Sequence, residues 1–220
     1  MMQELKRRAT EATRGKMLSL MMGSFLIAAF MEMQLWTDPY IQFSWLSFLP
    51  LLLIALTAPL SIGYKWIVLD VIRGQQIVWA RLIDPFRENY LRHVLVTVLL
   101  GIYQLGWLLL FIIPGIVKYF SYAFTYFLLQ DDPELSANEA ITKSRDMMNG
   151  HKKEALYLIF PFFIVTTIGW IALIVVEVFN PLYWILTLGM PWLYPFIDRR
   201  FAVFYEETKR EYDEQWNRSA

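Results

Sequence analysis

The sequence predicts an all-α, polytopic membrane bundle of six transmembrane helices with both termini in the cytoplasm, and three observations carry that expectation. Hydrophobic residues make up 57% of the 220 and aromatic residues 17%, more apolar surface than an ordinary soluble domain can enclose. The apolar residues gather into charge-free runs close to the roughly 20 residues that a helix needs to cross about 30 Å of hydrocarbon. Finally, 18 of the 20 Lys and Arg residues fall in four clusters separated by pairs of such runs, as expected when short basic loops are retained on the cytoplasmic side.

The runs extend from Met17 to Met31, Pro39 to Tyr64, Val94 to Val117, Ala155 to Val176 and Val178 to Ile197, with a shorter one from Tyr119 to Gln130. They place helices at 17–36, 45–72, 94–113, 116–131, 155–177 and 182–204, all in one domain spanning residues 1–220. Lys6, Arg7, Arg8, Arg14 and Lys16 precede the first run in the manner of a signal sequence. Phe30, Met31 and Glu32 follow its small pair Ala28-Ala29, and more apolar blocks come later, so it reads as an uncleaved anchor. Pro114-Gly115 is expected to end the third helix and to form the outer turn before the fourth. That fourth segment is short, and a re-entrant course is its alternative. The outer connections contain no Lys or Arg, so six spans satisfy the charge rule at every loop.

Two cytoplasmic segments read as amphipathic elbows, at 77–90 and 136–149. In the second, Ser136 and Glu139 have the spacing of a capping box, and Ala137, Ala140, Ile141, Ser144, Met147 and Met148 recur on one helical face before Gly150 ends it. In the first, Trp79, Leu82, Ile83, Phe86 and Tyr90 alternate with charges, and Pro85 should bend or interrupt the helix. The mixed-sign tail after Arg200 reads as a solvated helical end.

Ionisable groups inside a bilayer cost several kcal/mol unless paired or hydrated, so Lys65, Lys118, Glu32 and Glu177 are candidate sites. Lys118, Glu32 and Glu177 are expected near the outer ends of their helices. Snorkelling to the headgroups is the default there, with an outer ion-pair cluster as the alternative. Lys65, Asp70 and Arg73 are expected to cluster at the inner end of the second helix, in structural pairing or headgroup contact. Tyr119, Ser121, Tyr122, Thr125 and Tyr126 supply hydroxyls for contacts between helices.

Several chemistries are excluded. The absence of cysteine removes disulfides, thiolate metal sites and Cys nucleophiles. Balanced charge, with 20 acidic and 20 basic residues, gives no ground for a nucleic-acid partner. His93 and His151 lack metal-ligand spacing, and Asp131, Asp132 and Glu134 read as a turn before a capped helix. With no phosphate loop or nucleophile motif, no cofactor, metal or catalytic residue is assigned, and the chain is read as a non-enzyme.

The stretch Ile113-Pro114-Gly115-Ile116-Val117-Lys118-Tyr119-Phe120-Ser121-Tyr122, followed by Asp131-Asp132-Pro133-Glu134-Leu135-Ser136-Ala137-Asn138-Glu139-Ala140-Ile141, resembles a bacterial multi-pass membrane family, domain of unknown function nine-seven-five. Ser144 to Lys152, Leu69 to Gly74 and Phe204 to Glu207 fit the same pattern. Asp198-Arg199-Arg200 departs from it, being charged where a milder helix end is expected. A looser resemblance, through Pro114-Gly115 and the Ala140, Ser144 and Gly150 spacing, is to the membrane portion of some glycerophosphodiester phosphodiesterases. It implies a lipid-side role and transfers no catalytic residue. The expectation is therefore a non-catalytic protein of the bacterial cytoplasmic membrane, accessory, scaffold or lipid-interacting, with membrane lipids and another membrane protein as candidate partners. A transporter component and a membrane-bound lipid enzyme are the alternatives.

Overall fold

The computed structural model describes residues 1–37, 49–175 and 189–219, and every described element is helical. The order is α1 (Met2–Ala12), α2 (Met17–Thr37), α3 (Leu49–Ile72), a 3-10 turn (Trp79–Ile83), α4 (Asp84–Arg87) and α5 (Tyr90–Leu110). It continues with α6 (Ile112–Ser121), α7 (Thr125–Asp131), α8 (Ala137–Met147), α9 (Lys152–Val175), a second 3-10 turn (Met190–Leu193) and α10 (Tyr194–Ser219). The all-α expectation holds at this level.

Six spans do not follow from these helices. Five of them reach spanning length, 21 residues in α2 and α5, 24 in α3 and α9 and 26 in the charged α10. Among the described residues only α5 is both long and apolar enough to cross a membrane, and Met17–Ala28 is a shorter apolar stretch. The expected fourth helix, 116–131, is two pieces, α6 of 10 residues and α7 of 7, broken at residues 122–124. The expected sixth, 182–204, begins at Tyr194 where it is described and runs on to Ser219, taking in the charged tail.

Pro114-Gly115 is not the turn between α5 and α6. The break falls at Phe111, whose extended backbone (φ −158°, ψ 137°) caps both helices, and Pro114 sits in the first turn of α6, where its missing N–H is tolerated. Gly115 instead permits close packing, because a Cβ there would lie 2.5 Å from a Leu108 side-chain carbon of α5. The Gly115 carbonyl accepts from Gln104 Nε2 at 2.9 Å across the same contact.

Both elbow segments are helical in part, 79–87 as a 3-10 turn followed by one α turn and 137–147 as α8. Pro85 sits at the start of the single turn α4, which follows the 3-10 turn directly. That 3-10 turn lies flush against α3, since a Cβ on Gly63 would meet the Leu82 backbone at 2.8 Å. Ahead of α8, Ser136 Oγ accepts from the Glu139 amide at 3.3 Å and the Ser136 amide donates to Glu139 Oε2 at 2.8 Å. The buried face of α8, Ala137, Ala140, Ile141, Ser144 and Met147, turns toward the bundle. The N-terminal basic stretch, by contrast, is not merely a leader to the first span. It folds as α1, burying Leu5 and Ala9, and Arg8 pairs with Glu207 of α10 at 3.0 Å.

Packing is concentrated where α3, α7 and α10 meet. Phe124, Phe127, Phe204 and Tyr205 are almost entirely buried there, with ring centroids 5.3–5.7 Å apart for Phe124 with Phe204 and for each of Phe124 and Phe127 with Tyr205. Truncating such a ring to Ala typically costs about 3–5 kcal/mol. The opposite pattern holds on the outside of α5, where Leu91, Leu95, Val98, Ile102, Leu105 and Leu109 form an exposed apolar stripe. Ile113 and Val117 on α6, Leu18, Met22 and Leu26 on α2, and Ile164, Val165, Ile168 and Ile171 on α9 also point outward.

Candidate functional site

Between α2, α3, α5, α6, α9 and α10 lies a cavity of about 550 Å³. Most of its wall is aliphatic, contributed by residues such as Ile27, Leu108, Ile116, Ile159 and Ile197. Polar groups interrupt that wall at Ser24, Ser61, Gln104, Tyr119 and the pair Thr166 and Thr167.

Two charges border the cavity. Lys65 Nζ of α3 stands 2.5 Å from Asp198 Oδ1 of α10, with the side chains 26% and 11% exposed. Such a pair is held by mutual attraction in a poorly hydrated setting, and removing one partner leaves the other uncompensated. Next to it, Tyr64 donates its hydroxyl to the Leu20 carbonyl at 3.1 Å, and Ser24 Oγ donates to the Pro191 carbonyl at 3.0 Å, tying α2 to both neighbouring elements. The cavity has the form common to small-molecule sites, an apolar concavity with a few convergent polar groups.

Lys65, Asp70 and Arg73 do not form one cluster. Positions 65 and 70 on a helix point about 140° apart, so they face different neighbours. Asp70 pairs with Arg81 at 3.0 Å and accepts from Gln130 Nε2 at 2.8 Å. Arg73 forks onto Asp131, with Nη1 to Oδ1 and Nη2 to Oδ2 both at 2.8 Å, and also reaches Glu206 at 2.7 Å. These contacts leave Lys65 alone of the three at the cavity.

Asp131, read from the sequence as part of a turn, is instead a junction of three helices. Besides Arg73, just past the end of α3, it accepts from the Tyr205 hydroxyl at 2.8 Å and from Lys209 Nζ at 2.6 Å, both on α10. Asp132 beside it pairs with Lys143 of α8 at 2.5 Å. The fork of Arg73 is stabilised in turn, its pKa raised by Asp131 and Glu206 against burial.

Lys118 stands over the Trp107 ring at 4.6 Å, and among the described residues the charges in range of it are the cations Lys152 and Arg145. Glu177 lies outside the described residues, as does the side chain of Glu32 on α2, so the expected outer cluster lies outside them too. His93 is buried, its Nδ1 2.9 Å from the Pro85 carbonyl and its ring edge-on to Trp66. The residue that sequence reasoning underused is Asp198. It was visible as an unexpected charge at a helix end, but nothing local set it at the depth of Lys65.

Residues 107–211, somewhat under half of the chain, match a family model described as Protein of unknown function (DUF975). The matched region holds α6 to α9, the capping box, the Asp131 junction and Asp198, while Lys65, Asp70 and Arg73 precede it. No curated protein and no solved structure matches the chain.

Proposed function

We propose that this chain is a non-catalytic, polytopic protein of the cytoplasmic membrane that receives a lipid-like amphiphile in the cavity beside Lys65 and Asp198. The cavity is the observation that carries the reading. Its aliphatic wall suits an acyl or isoprenoid chain, and its hydroxyls and ion pair suit a polar group at one end. The exposed apolar faces of α2, α5, α6 and α9 support a lipid surround, since water would meet several such patches at once. The four basic clusters support cytoplasmic ends, with α2, α3, α5, the α6–α7 return, α9 and the first part of α10 as the six crossings. The looser likeness to the membrane portion of glycerophosphodiester phosphodiesterases points to the same lipid side.

The test is to purify the chain in mild detergent and weigh it by native mass spectrometry. Wild type should carry a bound amphiphile, and Ser61→Phe, which fills the cavity, should lose it while keeping its helical circular dichroism. An empty wild type, or equal loading of the filled variant, would remove this reading. A transporter component is the second reading, favoured by the ion pair bordering a cavity between helices and by Pro59 and Pro161 inside α3 and α9. It requires the cavity to open to each side in turn, so a cysteine at Ser61 should then label from both faces of the membrane.

A further inference from the structure

Arg199 and Arg200 follow Asp198 directly, and among the described residues neither has a carboxylate partner. Consecutive helical residues point about 100° apart, so the two side chains leave α10 in different directions. Arg199 turns toward the end of α1, where Nη1 donates to Thr13 Oγ1 at 2.9 Å. Arg200 turns toward α9, where Nη1 donates to the Leu158 carbonyl at 2.7 Å. Each guanidinium rests on one ring of a stacked aromatic pair. The Arg199 guanidinium lies over Phe196 at 4.9 Å and that of Arg200 over Phe162 at 4.6 Å, while the two rings stack with centroids 6.0 Å apart.

Arg199 is only 9% exposed, and its Nε is buried with no acceptor. Every acceptor recorded for the two guanidiniums is neutral, a hydroxyl, a thioether and a carbonyl. Two neighbouring cations drawn out of water without a counter-charge are costly, and the aromatic faces offset only part of that cost. An anion restores the balance. Guanidinium forks match the oxygens of a phosphate, and arginine is the residue favoured where that geometry is read.

We propose that Arg199 and Arg200 bind the phosphate of an anionic lipid headgroup in the cytoplasmic leaflet. The lipid source rests on the membrane reading above, whereas the phosphate chemistry rests on the arginine pair alone.

The experiment follows thermal unfolding of the full chain in uncharged detergent with added phosphatidylglycerol, phosphatidylcholine or inorganic phosphate. Phosphatidylglycerol at a hundredfold excess over its Kd should raise the Tm by roughly 5–10 °C, and phosphatidylcholine should raise it far less. Arg200→Gln should cut the rise to less than half. That variant comes first because Arg200 is the less buried of the two and its loss leaves the Thr13 contact in place. Phosphatidylglycerol retained per chain in native mass spectrometry, compared between wild type and Arg199→Lys, gives a second readout that does not depend on stability. An equal rise with inorganic phosphate would support the phosphate site and assign it to a soluble ligand. No rise with either, or an unchanged rise in Arg200→Gln, would overturn the proposal. Carbonate extraction tests the membrane reading separately. A chain released by it refutes that reading while the phosphate arm still reports on the arginines.

Discussion

Replacing Asp131 with Asn is expected to destabilise the fold more than any other change of one atom at its polar contacts. The wild-type carboxylate is 7% exposed and receives the Arg73 fork, the Tyr205 hydroxyl and Lys209. An amide keeps one acceptor oxygen and turns an N–H₂ toward these donors. Losing a partner to a buried charge costs about 3–5 kcal/mol. Here Arg73 and Lys209 are 28% and 27% exposed, so solvent recovers part of the loss, and Arg73 retains Glu206 at 2.7 Å. Tyr205 is fully buried and has no such recourse. The net loss is therefore about 2–4 kcal/mol, which lowers the Tm by roughly 4–16 °C in a chain of this size. Thermal unfolding in mild detergent, followed by tryptophan fluorescence, measures it. The Asp131→Asn and Tyr205→Phe double-mutant cycle should show coupling of at least about 0.5 kcal/mol. A loss below about 1 kcal/mol, or strict additivity, would refute the account of Asp131 as the junction of α3, α7 and α10.

Three further outcomes are expected. In intact cells, single cysteines at Ala80, Asn138 or Ser219 should resist an impermeant thiol reagent and one at Asn180 should react, so external labelling at Asn138 would contradict the proposed topology. Ser136→Ala should cost the α8 cap about 1 kcal/mol. Hydrogen bonds from the Ser136 hydroxyl and amide hold the Glu139 carboxyl below its ordinary value, so its contribution is present above about pH 4.5 and fades as pH falls through the lowered folded value. Hydrogen exchange at the first turn of α8 should accelerate over that acid range in wild type, and an equal acceleration in Glu139→Gln would contradict the assignment. Lys118→Arg should be tolerated and Lys118→Leu should cost no more than about 1 kcal/mol, the scale of an exposed cation–π contact. Non-additivity of Lys118→Leu with Glu177→Gln would mean the two are coupled, while additive losses eliminate that pair.

Local chemistry was legible in the sequence. The capping box, the α8 face, the interruption at Pro85 and the all-helical class depend on spacings of three or four residues, which the chain states outright. The fourth segment was misjudged for the same reason. Pro114-Gly115 has the composition of a turn, yet it begins a helix, because Phe111 takes the extended conformation and Gly115 lets α6 pack against Leu108. Only the partner helix distinguishes a glycine that turns the chain from one that admits a neighbour.

The same limit governs the charges. Lys65 follows an apolar run and reads as one of an inner-end cluster with Asp70 and Arg73, in structural pairing or headgroup contact. Asp198 lies 133 positions later at what reads as a helix end. Their pairing requires α3 and α10 to be neighbours with those residues level, and no local spacing encodes that. Once they are paired, the Arg199 and Arg200 that follow can no longer draw on Asp198 as a counter-ion, since its carboxylate already faces Lys65. The triplet that reads as an unexpectedly charged helix end thus becomes a satisfied ion pair followed by two cations with only neutral acceptors. That charge imbalance, produced by tertiary contact, is the reason an anion is expected at Arg199 and Arg200.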